Sequence, residues 1–121
     1  MTDTVVIISA TRTPMGGFQG DFASLTAANL GAVAIRAAVE RSGLPADAVQ
    51  EVIFGNVLQA GQGQAPARQA ALLAGLPLSA GCTTVHKVCG SAMKATMLAC
   101  DVLKAGGQDV MVAGGMESMT N

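Results

Sequence analysis

The sequence predicts an α/β fold in which strands and helices alternate as βαβαβαβ, with a mostly parallel sheet lying between helices. Two observations carry this. Short β-branched runs alternate with longer helix-period stretches, the pattern of βαβ units. Half of the 121 residues are hydrophobic, supplied by Ala, Val, Leu, Ile and Met with three Phe and no Tyr or Trp. That mixture suits helices packed closely on a sheet buried on both faces. The length supports one domain over 1–121 and not two.

The elements follow in order. Residues 4–10, TVVIISA, read as a buried strand. TRTPMGGFQGDF, 11–22, carries Pro14, Gly16, Gly17 and Gly20 and marks a loop. A helix follows in LTAANLGAVAIRAAVERSG, with Leu30, Val33, Ala34 and Ala37 on one stripe. Ser24 or Thr26 is its cap, and Gly43 and Pro45 end it. EVIFGNVL, 51–58, is a second strand. PARQAALLA, 66–74, is a shorter helix with Pro66 at a tolerated first-turn position. TTVHKV, 83–88, is a third strand running into Cys89. A third helix spans 91–105, closed by Gly106 and Gly107, and DVMVA, 109–113, is a fourth strand.

In the third helix, Lys94, Asp101 and Lys104 form one narrow polar stripe, and the rest is Ala, Met, Leu, Val, Cys and Thr. Such a helix is expected to be buried almost all round. Small residues at Ala92, Ala95 and Ala99 let another backbone come close. A helix sandwiched between two sheets needs this, so the chain is expected to pack on something beyond its own residues.

Only 12% of the residues are charged and the net charge is −1. Disorder is excluded by this composition, and nothing points to nucleic acid. The longest stretch without a charged residue, Gln69 to His86, is broken by Gly75, Pro77, Ser79 and Gly81, so it does not read as a membrane span. Asp3 stands before the first apolar run with no basic residue, which argues against a secretory leader. The expected location is the cytoplasm. The cysteines are Cys82, Cys89 and Cys100, and the one histidine is His86. An odd count at spacings that fit no zinc pattern predicts neither a disulfide framework nor a metal site.

Chemistry concentrates at VHKVCGSAMKA, 85–95. A thiol attacks as thiolate, and a helix N-terminus favours that anion. A helix beginning at Ser91 would aim its free N–H groups and positive dipole end at the Cys89 sulfur. Gly90 removes a side chain that would crowd an incoming carbonyl, and the same N–H groups can hold an oxyanion. The arrangement is that of a strand–turn–helix nucleophile. The blander alternative stays open at this point, because free cysteine is among the most buried residue types and usually only packs. Cys100 lies mid-helix, and Cys82 precedes a strand.

VHKVCGSAMKA resembles the nucleophile segment of the thiolase family. ISATRTPMGGFQG resembles the family's first strand and loop. EVIFGNVLQAGQGQAPARQAAL resembles its second strand and following helix, and DVMVAGGMESMTN its fourth strand and the loop after it. These pieces stand in family order over essentially the whole chain. The departures are His86, where Asn is more frequent, and Ala92, where Gly is common.

The resemblance implies a thiolase-like half-fold, most of an N-terminal half without the C-terminal half. It implies ping-pong acyl transfer: Cys89 is the catalytic residue and takes an acyl group from acyl-CoA, and a second acetyl-CoA attacks the thioester. Acetyl-CoA and CoA enter as substrates, with no permanently bound cofactor, and no CoA-binding residue is assigned. The family's catalytic His, its second Cys, its water-orienting Asn and its CoA-binding loop region belong to motifs outside these 121 residues. The fragment is therefore expected to be inactive alone, and to work as a homo-oligomer when complete or with a complementary C-terminal half. The alternatives are a 3-ketoacyl-CoA thiolase of fatty-acid breakdown and a non-catalytic assembly module.

Other signals carry less. His86 stands three residues before Cys89, on the opposite face if the strand continues, and is a poor base for it. GQGQAP, 61–66, shares only G-x-G with a dinucleotide fingerprint and reads as a plain loop. Arg12 reads as a phosphate contact or a structural partner of carboxylates. Glu117 reads as a structural hydrogen-bonding residue near the active site. Met111, Met116 and Met119 read as packing against parts beyond the chain.

Overall fold

The structure, a computed structural model, describes residues 4–121. Asp3, which bears on the leader argument, lies outside the described residues. The elements are α1 (Ala27–Ser42), a 3₁₀ turn (Ala46–Ala48), β1 (Glu51–Gly55), α2 (Pro66–Leu73), β2 (Gly81–Val85), α3 (Ser91–Lys104) and β3 (Met111–Gly115). The sheet order is β2-β1-β3 and both pairings are parallel. Gly55 pairs with Val85 on one side and Gly115 on the other, so the three strands end level.

β1 is the central strand, and its alternation divides the molecule into layers. Val52 and Phe54 join Ile35 and Val39 of α1 and Ala67, Ala70 and Ala71 of α2 in one core. Ile53 and Gly55 have the opposite parity and face the side where α3 lies. A Cβ on Gly55 would stand 2.6 Å from the Ser91 backbone. Helices therefore cover both faces of a parallel sheet, as the composition predicts.

α1 starts where a capping box forms. Thr26 Oγ1 accepts from Asn29 N (3.1 Å), and Asn29 Oδ1 accepts from Thr26 N (3.0 Å). It ends at Gly43, whose φ of 77° is the left-handed conformation that glycine adopts without penalty. Of the two expected caps, Thr26 makes the bond. Thr26→Ala is expected to cost about 1 kcal/mol of stability in urea unfolding, the usual worth of such a cap.

The buried stripe of α1 differs from the expected one. Ala27, Ala28, Gly31, Ala32, Ile35 and Val39 face inward, while Val33 is 53% exposed. The reason is close approach. A Cβ at Gly31 would meet Met116 Sδ at 2.6 Å and the Phe54 ring at 3.3 Å, so no side chain fits at this point, while Ile35 and Val39 fill the face further along. Arg36 Nη2 ties α1 to the end of α2 through Leu73 O (2.6 Å). Thr84 Oγ1 of β2 accepts from Ala67 N (3.0 Å) and serves the open first turn of α2.

Residues 4–10 form no strand. They pair with nothing in the sheet, and Val6, Ile7 and Ile8 are 66%, 81% and 57% exposed. Both edges of β1 are occupied by β2 and β3, and the segment joins the outer edge of neither. The fourth expected strand begins two residues late, because Gln50 Oε1 takes the N–H groups of Asp109 (2.6 Å) and Val110 (3.0 Å). α3 is covered on one side only. Ser91, Ala95 and Ala99 are buried against the sheet, while Met93 and Met97 are 71% and 54% exposed. Among the described residues no helix is long and apolar enough to cross a membrane.

Candidate active site

Ligand sites in parallel sheets form beyond the carboxyl ends of the strands, and here that end carries a cavity of about 500 Å³. It is lined by Gly55, Val57 and Leu58 at and after the end of β1, by Val88 and Cys89 after β2, and by Gly115 at the end of β3.

β2 stops at Val85 instead of continuing to Val88, and a tight turn delivers the chain to α3. Gly90 N donates to Lys87 O (3.0 Å) and Ser91 N to Val88 O (3.2 Å). Val88 has φ 47°, an outlying conformation for a β-branched residue. Two side chains hold it there. Ser91 Oγ accepts from Lys87 N (2.7 Å) and donates to Val88 O (2.6 Å), and Ser91 is 5% exposed. His86 Nδ1 accepts from Val88 N (3.0 Å). His86 does not line the cavity. It lies in the turn rather than on a strand, so the argument from strand faces does not apply, and its Nδ1 is committed to the backbone.

Cys89 follows Val88 directly and is exposed, whereas Cys82 and Cys100 are half-buried. Cys82 packs against the core. Gly90, the N-cap of α3, makes no side-chain cap bond, so the first-turn N–H groups of Ala92 and Met93 are taken by no backbone acceptor. They stand where an anion can be stabilised.

The loop after β1, which also lines the cavity, is held by side chains. The Glu117 carboxylate accepts from Val57 N (2.9 Å), Leu58 N (3.0 Å) and Asn56 Nδ2 (3.0 Å). This is why β1 ends at Gly55 and not at Leu58. Asn56 is fully buried, and its Nδ2 also donates to Met116 O (3.2 Å). Gln59 Nε2 reaches Asn56 O (2.8 Å), Gln62 Nε2 reaches Asn56 Oδ1 (3.0 Å), and Gln69 Nε2 bonds the carbonyls of Gln62 (2.7 Å) and Gln64 (2.8 Å). GQGQAP is thus a loop stapled by amides. Arg12 Nη1 donates to Thr13 O (3.0 Å) and does not line the cavity. Met116 packs inside this chain on Gly31, while Met119 is exposed beside the cavity.

Reading the sequence missed Ser91, Asn56 and the left-handed Val88. Ser91 had a signal, since Ser at a helix start often bonds the local backbone. A β-branched residue at positive φ has none.

The comparisons with known proteins agree with this geometry. The family model for the thiolase N-terminal domain matches residues 5–121. The chain is 65% identical to acetyl-CoA acetyltransferase B, mitochondrial, of Xenopus laevis over 97% of its own length and 28% of the relative's. It is 60% identical to the human mitochondrial acetyl-CoA acetyltransferase over 97% of the chain and 27% of that protein. It therefore spans little more than a quarter of these relatives. A crystal structure of the Acat5 thiolase from Ascaris suum in complex with coenzyme A superposes with a TM-score of 0.93 at 44% identity, over 95% of this chain and 30% of the other. The relatives' names overturn the cytoplasmic expectation, because these relatives are named mitochondrial acetyl-CoA acetyltransferases. With the family model covering nearly all of the chain, and the chain superposing on a solved thiolase, this chain belongs to the thiolase family.

Proposed function

We propose that the chain supplies the acyl-carrying half of a thiolase-type acyltransferase, with Cys89 as nucleophile. The observation that carries this is the placement of Cys89. It is exposed beside the cavity, on a strained turn, at the start of a helix whose first-turn N–H groups are free of backbone acceptors. The Cys89 thiolate attacks the carbonyl carbon of acetyl-CoA. The C–S bond to CoA breaks, CoA leaves as its thiol after taking a proton, and an acetyl thioester remains on Cys89. Backbone N–H groups at Cys89 and in the first turn of α3 stabilise the oxyanion. A second acetyl-CoA then loses a methyl proton to a base. Its carbanion attacks the thioester, giving acetoacetyl-CoA and regenerating the thiolate. Every step is reversible. CoA is a substrate here and not a resident cofactor.

The base and acid for these proton transfers come from a complementary C-terminal portion. His86 is an unsuitable base, since its Nδ1 already holds the Val88 turn. Exposed Met93 and Met97 on α3 support a partner surface of the same molecule or of a second copy. The 121 residues alone would stop short of condensation.

Mass spectrometry after incubation with acetyl-CoA tests this, with the acetyl thioester mapped by peptide. The expected result is acetylation of Cys89 and not of Cys82 or Cys100, in the chain alone or once a C-terminal half is added. A folded chain that stays unacetylated under both conditions would instead be a non-catalytic assembly module.

A further inference from the structure

We propose that Glu117 is a positioning residue that sets how large a group can reach the Cys89 sulfur; this deepens the acyl-site reading and rests on it. Its carboxylate takes the N–H groups of Val57 and Leu58, and these two residues line the same cavity as Cys89. The brace is anchored at both ends. Met116 N donates to Gly55 O (3.0 Å), and Asn121 Nδ2 donates to Ala23 O (2.9 Å) and Leu25 O (2.6 Å). Asn56 Nδ2 shares Glu117 Oε1 with Leu58 N. Three donors thus converge on one carboxylate, and both of its oxygens are used.

No amide can replace it. In Glu117→Gln the single oxygen serves either Val57 or the pair Leu58 and Asn56, and the NH₂ faces an N–H on the other side. Losing one charge-assisted bond loosens the loop by a factor of about ten in population. Val57 and Leu58 then lose their fixed place in the lining they share with Cys89.

The test is alkylation of the full chain by iodoacetamide and by N-hexyliodoacetamide, followed separately at each cysteine by peptide mapping. In each case the thiolate displaces iodide and a C–S bond forms, so no acyl-CoA is needed. The expected result for Glu117→Gln is a rise of about tenfold in the hexyl-to-parent rate ratio at Cys89. The ratios at Cys82 and Cys100 stay fixed. Leu58→Ala cuts this lining without touching the brace and is expected to shift the Cys89 ratio the same way, which keeps the test alive if Glu117→Gln does not fold. An unmoved Cys89 ratio in folded Glu117→Gln, or in Leu58→Ala, overturns the proposal. An equal shift at all three cysteines also overturns it, because that is general loosening. Failure of acetyl-CoA to label Cys89 would sink the acyl-transfer reading alone and leave this result to be judged by itself.

Discussion

Gly55→Ala is expected to destabilise the chain by about 1–3 kcal/mol, the usual cost of forcing extra atoms into a packed site, and to slow acetylation of Cys89 by at least as large a factor. The added Cβ would lie 2.6 Å from the Ser91 carbonyl carbon and 2.7 Å from Ala92 N. Those are backbone atoms at the start of α3, so no side chain can rotate away. The helix must lift off the sheet, and Cys89, two residues before Ser91, moves with it. Gly55 has no positive φ, so its requirement is space and not backbone freedom. Gly115 supports the same helix from β3, where a Cβ would meet that of Ala92 at 2.7 Å. Gly17 is the control: a Cβ there meets nothing within 4 Å, and Gly17→Ala is expected to stay within about 0.5 kcal/mol. Urea unfolding followed by circular dichroism, with acetylation mapped in parallel, decides the matter. A Gly55→Ala chain as stable and as readily acetylated as the parent would show that α3 does not need this contact.

The same contact marks what the sequence could and could not reveal about the fold. Local chemistry was legible: Thr26 as one of two candidate caps, the Gly43 stop and Pro66 opening α2 were read from neighbouring residues, whereas α3, expected to be buried almost all round, is covered on one side only. Non-local pairing was not. Residues 4–10 have the composition of a buried strand, but composition does not say which edge a strand joins, and they pair with neither outer edge of the β2-β1-β3 sheet. The stripe of α1 was misplaced for a related reason. Bulk at Leu30 and Val33 suggested the inward face, yet the helix approaches Phe54 and Met116 so closely at Gly31 that no side chain fits there.

At the site, the exposed position of Cys89 just before α3 was legible because Cys-Gly-Ser at a strand–helix junction is a local pattern. Glu117 was legible only as a hydrogen-bonding residue, and its donors sit some sixty positions away at Asn56, Val57 and Leu58. His86 was judged on strand geometry. That frame failed because the strand ends at Val85 and the following turn recruits the imidazole.

That turn gives the second large effect. Ser91→Ala is expected to lower stability by about 1–3 kcal/mol, the cost of leaving backbone groups unpaired at a buried position. It removes the acceptor for Lys87 N and one donor to Val88 O together. The larger consequence is for Cys89. A left-handed non-glycine residue costs of order 1–3 kcal/mol and persists only when its surroundings hold it. At Val88 the holders are Ser91 and His86. With Ser91 gone, Val88 relaxes toward ordinary φ and turns Cys89 away from the cavity, so acetylation falls. Val88→Gly separates the two effects, because glycine occupies left-handed φ without strain. In the double variant the turn has no drive to relax, so acetylation of Cys89 is expected to return toward the parent rate while the loss of stability from Ser91 largely remains. Acetylation rates and urea midpoints of the two single variants and the double form the cycle that checks this. If Val88→Gly fails to restore labelling in the Ser91→Ala background, Ser91 supports Cys89 by a route other than restraining Val88. If it does restore labelling, the strain at Val88 is what a cysteine held at this helix start requires the serine to oppose.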